Sequence, residues 1–174
     1  MVRGIPVTAV ERTWCDLAAG GMGLAPLVAV GDAILRRQVT RSDLAGIRAA
    51  VSRYRGRRGA RTIAIALDLL DGRADSAPES EIRVALNQAG LPRPSVGYPI
   101  ALGDAVVHVD LAWQDVKVAL EYEGDYHRTD RDQWHYDIRR YDVLALHGWT
   151  VIRATALDYR DPTRLLARVA HALR

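Results

Sequence analysis

The sequence predicts an α/β protein of the α+β type, in which a small all-helical module precedes a domain with the element order α-β-β-β-α-β-α. Two patterns support this division. Apolar residues recur at helical spacing through residues 10–70, whereas apolar and polar residues alternate with period 2 between His108 and His127. The segment 71–78, DGRADSAP, is rich in turn formers and separates the two patterns. We therefore expect two domains, at residues 1–73 and 74–174.

Four helices are predicted in the N-terminal module. Thr8 and Glu11 have the spacing of a capping box before the first helix, and Thr40 is expected to cap the third. The second and fourth helices are expected over residues 25–38 and 61–70. A strongly basic connector, RYRGRRGAR, joins the third helix to the fourth. The helices carry enough apolar residues to pack against one another.

The C-terminal domain is expected to start with a helix. Ser76 and Glu79 again have capping-box spacing, and this helix continues toward Gly90. A strand over residues 96–101 and the hairpin between His108 and His127 follow. Thereafter the pattern predicts a helix over 130–146 that ends at the C-cap glycine Gly148, a short buried strand over 149–153 and a closing helix over 162–173.

Composition limits where the protein works. The chain has 174 residues, 49% of them hydrophobic, and a single cysteine, Cys15, which excludes an internal disulfide and a cysteine-based zinc site. The chain has no uninterrupted apolar run of membrane-spanning length and no signal-peptide pattern. We expect a soluble, cytoplasmic protein with no membrane partner.

The charges are unevenly distributed along the chain. Residues 1–73 hold 12 Arg and 6 acids, a net charge of +6, while residues 74–174 carry a net charge of −3. Such an arrangement suits a protein that approaches phosphate with one part and holds a cation with the other. Solvated helix faces explain the same charges equally well.

The acids of the predicted hairpin are the main candidates for chemistry. A two-residue turn, Gln114-Asp115, would place Asp110 opposite Ala119 and His108 opposite Glu121, with Asp110 and Glu121 as diagonal neighbours about 7–8 Å apart. The polar face would then carry His108, Asp110, Lys117, Glu121 and Glu123. Converging carboxylates favour a hard cation such as Mg²⁺ or Mn²⁺, which can activate water and offset charge on a phosphoryl transition state. The alternative is a solvated polar face.

Other candidates each have a plain structural alternative. Glu79 is either a helix cap or a further metal ligand, and Arg83 could pair with it at i,i+4. His127 is either a proton carrier or an ordinary loop histidine, and His108 is a weaker candidate. Arginine and polar side chains that could contact nucleic acid are Arg128, Arg131, Gln133, Arg140 and Arg153. Arg140 could instead pair with Asp137 at i,i+3.

Five segments together suggest a family. PESEIR, VDLAW, LEYEGDYH, DIRRYDVLALHGWTVIR and the last helix resemble endonuclease-like domains of the PD-(D/E)XK superfamily, in the branch related to the very-short-patch mismatch-repair endonuclease. The resemblance implies a restriction-endonuclease-like αβββαβα core and a metal-dependent DNA endonuclease or nickase. It implies catalytic roles for Glu79, Asp110, Glu121, Glu123 and His127.

The same resemblance implies a metal site with two departures. Mg²⁺ or Mn²⁺ would be held by Asp110, Glu121 and the carbonyl of Tyr122. The lysine that gives the superfamily its name is absent, and Glu123 stands in its place. The branch usually has Asp at that position, so Glu123 adds a methylene group to the site.

The N-terminal module has a resemblance of its own. GIPVTAVERTWCDLA, TRSDLAGI and GRRGAR are similar to a helical segment in actinobacterial proteins related to abortive-infection type IV antitoxins. A winged helix-turn-helix usually precedes that segment, so we expect an upstream DNA-reading domain that this chain lacks.

These resemblances leave three functional expectations. The leading one is cleavage of DNA, expected to be double-stranded, by a homodimer or by sequential nicking. A nuclease-fold DNA-binding protein without turnover, with an antitoxin-like or regulatory role, is the second. A structural or partner-binding protein is the third.

Overall fold

The computed structural model describes residues 4–36, 42–103, 105–124 and 140–174. The chain forms two compact units, Met1–Val84 and Ala85–Arg174, named here the helical unit and the sheet unit. Helices and a four-stranded mixed sheet are both present, which confirms the predicted α+β class. In the described part of the chain, every helix is too short or too polar to cross a membrane.

The helical unit is built around one apolar core. Its helices are α1 (Val10–Ala19), α2 (Leu24–Arg36), α3 (Leu44–Arg53), α4 (Ala60–Leu69) and the first turns of α5 (Ala77–Gln88). Trp14 is fully buried in this core, and its indole N–H donates to the carbonyl of Leu27 at 2.8 Å. Gly59 has φ +82°, and a Cβ there would lie 2.7 Å from the carbonyl carbon of Ala18. Only glycine allows α4 to start so close to the end of α1.

The starts of α1 and α3 differ from the predicted caps. Ala9 precedes α1 without a side-chain cap, so the predicted capping box is wrong. The Thr8 hydroxyl instead pairs with Thr13, 2.7 Å away, and Glu11 accepts from Ser42 at 2.8 Å.

In α3 the cap is Asp43, whose carboxylate accepts from the backbone N–H of Gly46 at 2.7 Å. Thr40 lies outside the described residues. Asp43 directly precedes the helix, which is the position from which a side chain reaches the free N–H groups of the first turn.

A buried carboxylate joins α2 to α5. Asp32 lies in an otherwise apolar helix and is only 1% exposed. It accepts hydrogen bonds from Ser80 Oγ at 2.7 Å, from Arg83 Nη2 at 2.6 Å and from the backbone N–H of Asp71 at 2.7 Å. Burial raises the pKa of Asp32, while the positive charge of Arg83 and the hydrogen bond from Ser80 oppose that rise.

The hydrogen bonds of Ser80 and Arg83 to Asp32 attach the start of α5 to the helical unit. Arg83 also donates to the carbonyl of Leu69 at 2.5 Å, so the predicted pairing of Arg83 with Glu79 is wrong. Asp32 is the more deeply buried of the two carboxylates and needs the countercharge, whereas the Glu79 carboxylate accepts from the backbone N–H of Asp75. The division between the units therefore falls inside α5, after Val84, whereas the sequence suggested the loop before it.

The sheet unit contains four strands in the order β1-β2-β3-β4. They are β1 (Ser95–Leu102), β2 (Ala105–Trp113), β3 (Val118–Glu123) and β4 (Thr150–Thr155). The β1–β2 and β2–β3 pairs are antiparallel, and β4 runs parallel to β3. Residues 140–146 are helical (α6), and α7 (Ala156–Arg160) and α8 (Thr163–Ala172) follow β4. Successive residues of β3 from Val118 to Glu121 are all buried, so both faces of this strand are covered.

The predicted register of the β2–β3 hairpin is wrong by two residues. Trp113 pairs with Val118, so four residues form the turn instead of two. They comprise a 3-10 turn, Gln114–Val116, and then Lys117, which has φ +50°. A left-handed residue other than glycine or asparagine gives no turn signal in the sequence, which explains the error.

The corrected register brings the predicted acids closer together. Leu111 pairs with Leu120, and Asp110 and Glu121 are the next residue of each strand beyond this last pair. His108 was predicted to lie opposite Glu121, and this prediction is wrong. Because side chains alternate with period 2, a shift of two residues leaves each side chain on its predicted face.

The end of α6 agrees with the sequence. Gly148 has φ +79°, and the N–H of Trp149 donates to the carbonyl of Leu144 at 3.0 Å, as expected at a C-cap glycine. Leu144 is fully buried and packs with Ala112 and Ala119. Since these alanines share a face with Asp110 and Glu121, α6 lies over the acidic side of the sheet.

A candidate acidic site on the sheet

Asp110 is attached to the neighbouring strand. This half-buried side chain on β2 accepts a hydrogen bond at 2.7 Å from the backbone N–H of Tyr122 on β3. A charge-assisted hydrogen bond of this kind fixes the carboxylate beside β3. The Asp110 carboxylate is thus held at the residue that follows Glu121 in β3.

Glu121 is the most buried acid of the sheet unit among the described residues, with 5% exposure. Arg140 holds both of its oxygens, with Nη2 2.7 Å from Oε1 and Nη1 2.9 Å from Oε2. Arg140 also donates to the carbonyl of His108, which lies on β2. A buried carboxylate requires such a partner because an unpaired charge in the interior costs several kcal/mol. Arg140, predicted as a phosphate contact, is therefore a carboxylate partner here.

Glu123 has a second arginine partner. Arg153 on β4 donates hydrogen bonds to its carboxylate from Nε and Nη2, and Nη2 lies 2.5 Å from Oε2. The pair is more open to solvent than that of Glu121, since 57% of the Arg153 side chain is exposed. Arg153, the other predicted phosphate contact in the described residues, is likewise engaged with a carboxylate.

Tyr141 connects the two glutamates and was missed by the sequence analysis. Its hydroxyl lies 3.0 Å from Oε2 of Glu121 and 3.2 Å from Oε1 of Glu123, and it has one proton to donate. Burial raises the pKa of Tyr141 above the usual range of tyrosine, and the negative charges of Glu121 and Glu123 raise it further. The signal was its position three residues before buried Leu144, on the apolar face of α6, where a tyrosine needs a polar partner.

Glu79 belongs to the helical unit, unlike the other acids. It is 7% exposed, its N–H donates to Ser76 Oγ at 3.3 Å, and its carboxylate accepts from the N–H of Asp75 at 2.8 Å. This arrangement resembles the predicted capping box, with Asp75 in place of Ser76 as the backbone donor.

Several predicted site residues remain without a structural description. His127, Arg128, Arg131 and Gln133 lie outside the described residues, as does Asp137. His108 is exposed on β2 and lies opposite Pro99 of β1. Tyr122 contributes its N–H to Asp110, while its ring meets Tyr159 edge to face, with centroids 6.3 Å apart.

The donor chemistry of the site fits a hard divalent cation. Asp110 and Glu121 supply carboxylate oxygens from adjacent strands, which is the ligand type that Mg²⁺ and Mn²⁺ prefer. Within residues 4–36, 42–103, 105–124 and 140–174, no group of three or more His, Cys, Asp or Glu is arranged to hold a metal. Arg140 lies against both oxygens of Glu121, so a cation and this guanidinium would compete for the same carboxylate.

Comparison with known proteins gives relatives but no activity. Two uncharacterized proteins from two strains of Mycobacterium tuberculosis are each 39% identical to this chain over 145 residues, or 82% of it. The matched region is 52% of each relative, so the chain spans about half the length of the curated relatives it matches. Neither a family model nor a solved structure matches the chain.

Proposed function

We propose that the sheet unit is a metal-dependent endonuclease or nickase that hydrolyses phosphodiester bonds of DNA on a restriction-endonuclease-like core. The observation that carries this proposal is the juxtaposition of Asp110 and Glu121 on adjacent strands, with Glu121 nearly inaccessible to solvent. An apolar residue on a central strand costs less to bury than a glutamate paired with an arginine, so stability alone does not favour Glu121 there. A role in binding a cation supplies a reason for a glutamate at this position.

In the proposed site, Asp110, Glu121 and the Tyr122 carbonyl would hold Mg²⁺ or Mn²⁺. Such an ion, when bound, lowers the pKa of water and offsets charge on a phosphoryl group. Arg140 orients Glu121, while Arg153 and Tyr141 orient Glu123. His127 is assigned to proton transfer and Glu79 to a supporting role, both on the family resemblance alone.

Nicking of a supercoiled plasmid tests the proposal. The full chain should nick DNA with Mg²⁺ or Mn²⁺ and lose this activity with a chelator. Asp110→Asn and Glu121→Gln should each reduce the rate on the order of 100-fold or more, since a lost ligand removes several kcal/mol of transition-state stabilisation. Asp115→Asn, in the exposed hairpin turn, is the matched control and should cut at the wild-type rate. A wild-type protein that binds duplex DNA but never nicks it with either cation would refute the proposal.

A second candidate is a nuclease-like DNA-binding protein without turnover, which could serve an antitoxin-like or regulatory role. The specific observation in its favour is that arginines hold both Glu121 and Glu123. Arg140→Gln separates the two candidates. If Arg140 positions Glu121 for a metal, this variant should nick more slowly than the wild type. If Arg140 occupies the place of the metal, the wild type should be inert and Arg140→Gln should gain metal binding, measured by calorimetry.

A further inference from the structure

A cavity of about 260 Å³ lies between α1 and the end of α3 in the helical unit. The polar and aromatic side chains that line it are Glu11, Arg12, Arg53, Tyr54 and Arg57, and we call this set the arginine pocket. The volume falls just below the roughly 300–1,000 Å³ of pockets for drug-sized ligands. The pocket therefore suits a small group, such as one phosphate with part of its sugar.

Tyr54 organises the pocket. Its side chain is 5% exposed, and the guanidinium carbons of Arg12 and Arg57 lie 5.6 Å and 5.4 Å from the centre of its ring. Contact with one aromatic ring holds both guanidinium groups in the same small region. Like charges that converge in this way repel, and an anion between them removes the repulsion.

The pocket has more positive than negative charge. Arg12 has a carboxylate partner, since its Nε lies 2.8 Å from Oδ1 of Asp16. Arg53 and Arg57 are exposed and take part in no ion pair within the described residues. The acid of the pocket, Glu11, accepts a hydrogen bond from Ser42 at 2.8 Å. Two guanidinium groups are thus available to a ligand.

The surroundings of the pocket favour a polyanion over a single anion. Arg55, Arg58 and Arg61 are exposed and continue the same basic segment beyond the pocket. The guanidinium fork matches phosphate oxygens in geometry and charge. A chain of phosphates can engage these arginines in succession, whereas one isolated phosphate occupies only the pocket.

We propose that the arginine pocket and its flanking arginines bind the sugar–phosphate backbone of a nucleic acid without reading its base sequence. The ring of Tyr54 is buried, so it offers no face on which a base can stack. Affinity should then come from neutralised phosphates and depend strongly on salt. This inference does not require the sheet unit to cut DNA.

The test measures binding of the full chain to a labelled DNA duplex by fluorescence anisotropy, in chelator, over a series of salt concentrations. Arg53→Gln/Arg57→Gln should weaken binding about 10-fold or more and lower the slope of log K against log salt by roughly 1.8, because each lost phosphate contact contributes about 0.9. Arg48→Gln/Arg160→Gln removes the same charge from exposed positions outside the pocket and is the matched control. Its slope should stay close to that of the wild type.

Two further variants keep the inference testable if the double substitution impairs folding. Arg53→Gln and Arg57→Gln alone should each lower the slope by about 0.9. Arg53→Lys/Arg57→Lys retains the charge and should retain the slope. An equal loss of affinity in the pocket variant and the control, or an unchanged slope in the pocket variants, would overturn the inference.

The source of the phosphate is tested separately. If inorganic phosphate displaces the duplex at concentrations where chloride of equal ionic strength does not, and the duplex binds no more tightly than phosphate, the pocket is a small-anion site and the inference fails. Binding is measured in chelator, which abolishes metal-dependent nicking, and Asp115→Asn should bind the duplex as the wild type does. A failure of the nicking experiment thus leaves this result intact, and the reverse also holds.

Discussion

Tyr54 in the helical unit and Tyr141 in the sheet unit are each contacted by two arginines, but the charges around them are balanced differently. The guanidinium carbons of Arg140 and Arg153 lie 6.0 Å and 5.3 Å from the centre of the Tyr141 ring. Glu121 and Glu123 pair with these two arginines, one carboxylate for each. At Tyr54, Asp16 pairs with Arg12, whereas Arg57 has no ion pair in the described part of the chain.

The difference shows that arginine clusters of similar sequence can differ in charge balance. RYRGRR around Tyr54 and RRYD around Tyr141 look alike as basic, tyrosine-containing segments. Where carboxylates match the guanidinium groups, the cluster holds strands and a helix together. Where they do not, the positive charge faces solvent and is available to a ligand.

The largest effect should come from the most buried ion pair. Asp32→Ala leaves Arg83 buried without its partner, so we expect the free energy of unfolding to fall by about 3–5 kcal/mol. Urea denaturation of the full chain, followed by circular dichroism, measures the change. Asp16→Ala breaks an exposed i,i+4 pair and should have no measurable effect. A loss in Asp32→Ala as small as in Asp16→Ala would show that the buried pair does not stabilise the helical unit.

A smaller effect should distinguish the two arginines at Tyr141. Arg140→Met should lower the free energy of unfolding by about 2–3 kcal/mol, below the range for fully buried pairs, because 21% of the Arg140 side chain is exposed. Arg153→Met removes a more exposed partner and should cost less than about 1 kcal/mol. Denaturation midpoints of the two variants, measured in one buffer, give the order directly. Equal losses would contradict the difference in burial between the two pairs.

Tyr141→Phe should destabilise the protein less than Arg140→Met at neutral pH. It removes one donor from two carboxylates, for an expected cost of about 1–2 kcal/mol. The pKa of Tyr141 is raised on folding, so the stability linked to its protonated hydroxyl is fully present below about pH 10, the value of an unperturbed tyrosine. This stability is lost as the pH rises toward the raised pKa, because the unfolded chain ionises first.

Urea midpoints measured between about pH 8 and 11 test the sign of this dependence. The wild type should lose stability more steeply than Tyr141→Phe in the upper part of that range. Tyr98→Phe, in the same unit, controls for the loss of a tyrosine. A steeper decline in Tyr141→Phe than in the wild type would contradict the raised pKa.

The sequence could predict what depends on local spacing. The alternation around Asp110 and Glu121 indicated both strands and the face that carries the acids, and Gly148 indicated the end of α6. The register could not be predicted, because Lys117 adopts a left-handed conformation that its residue type does not signal. Short-range patterns fix which face a side chain occupies more reliably than which residue lies opposite it.

Side-chain partners far apart in sequence could not be predicted. Arg83 was expected to pair with Glu79 four residues away, yet it crosses to Asp32 in α2. Likewise, Arg140 was expected near phosphate but lies against Glu121. A long arginine side chain can reach several carboxylates, and it pairs with the one that is most buried. The sequence alone does not show which carboxylate that is. A single acid in an apolar helix, as at Asp32, is nevertheless a usable signal that a distant cation is required.

Helix α5 runs without interruption across the division between the two units, which limits how the protein can be dissected or recombined. A fragment cut at the turn-rich segment 71–78 would take Ser80 and Arg83 away from Asp32 and leave that carboxylate buried alone. A helical fragment that ends at Gly90 keeps the helix whole, together with the glycine that terminates it. A transfer of the helical unit into another protein is therefore expected to require all of α5.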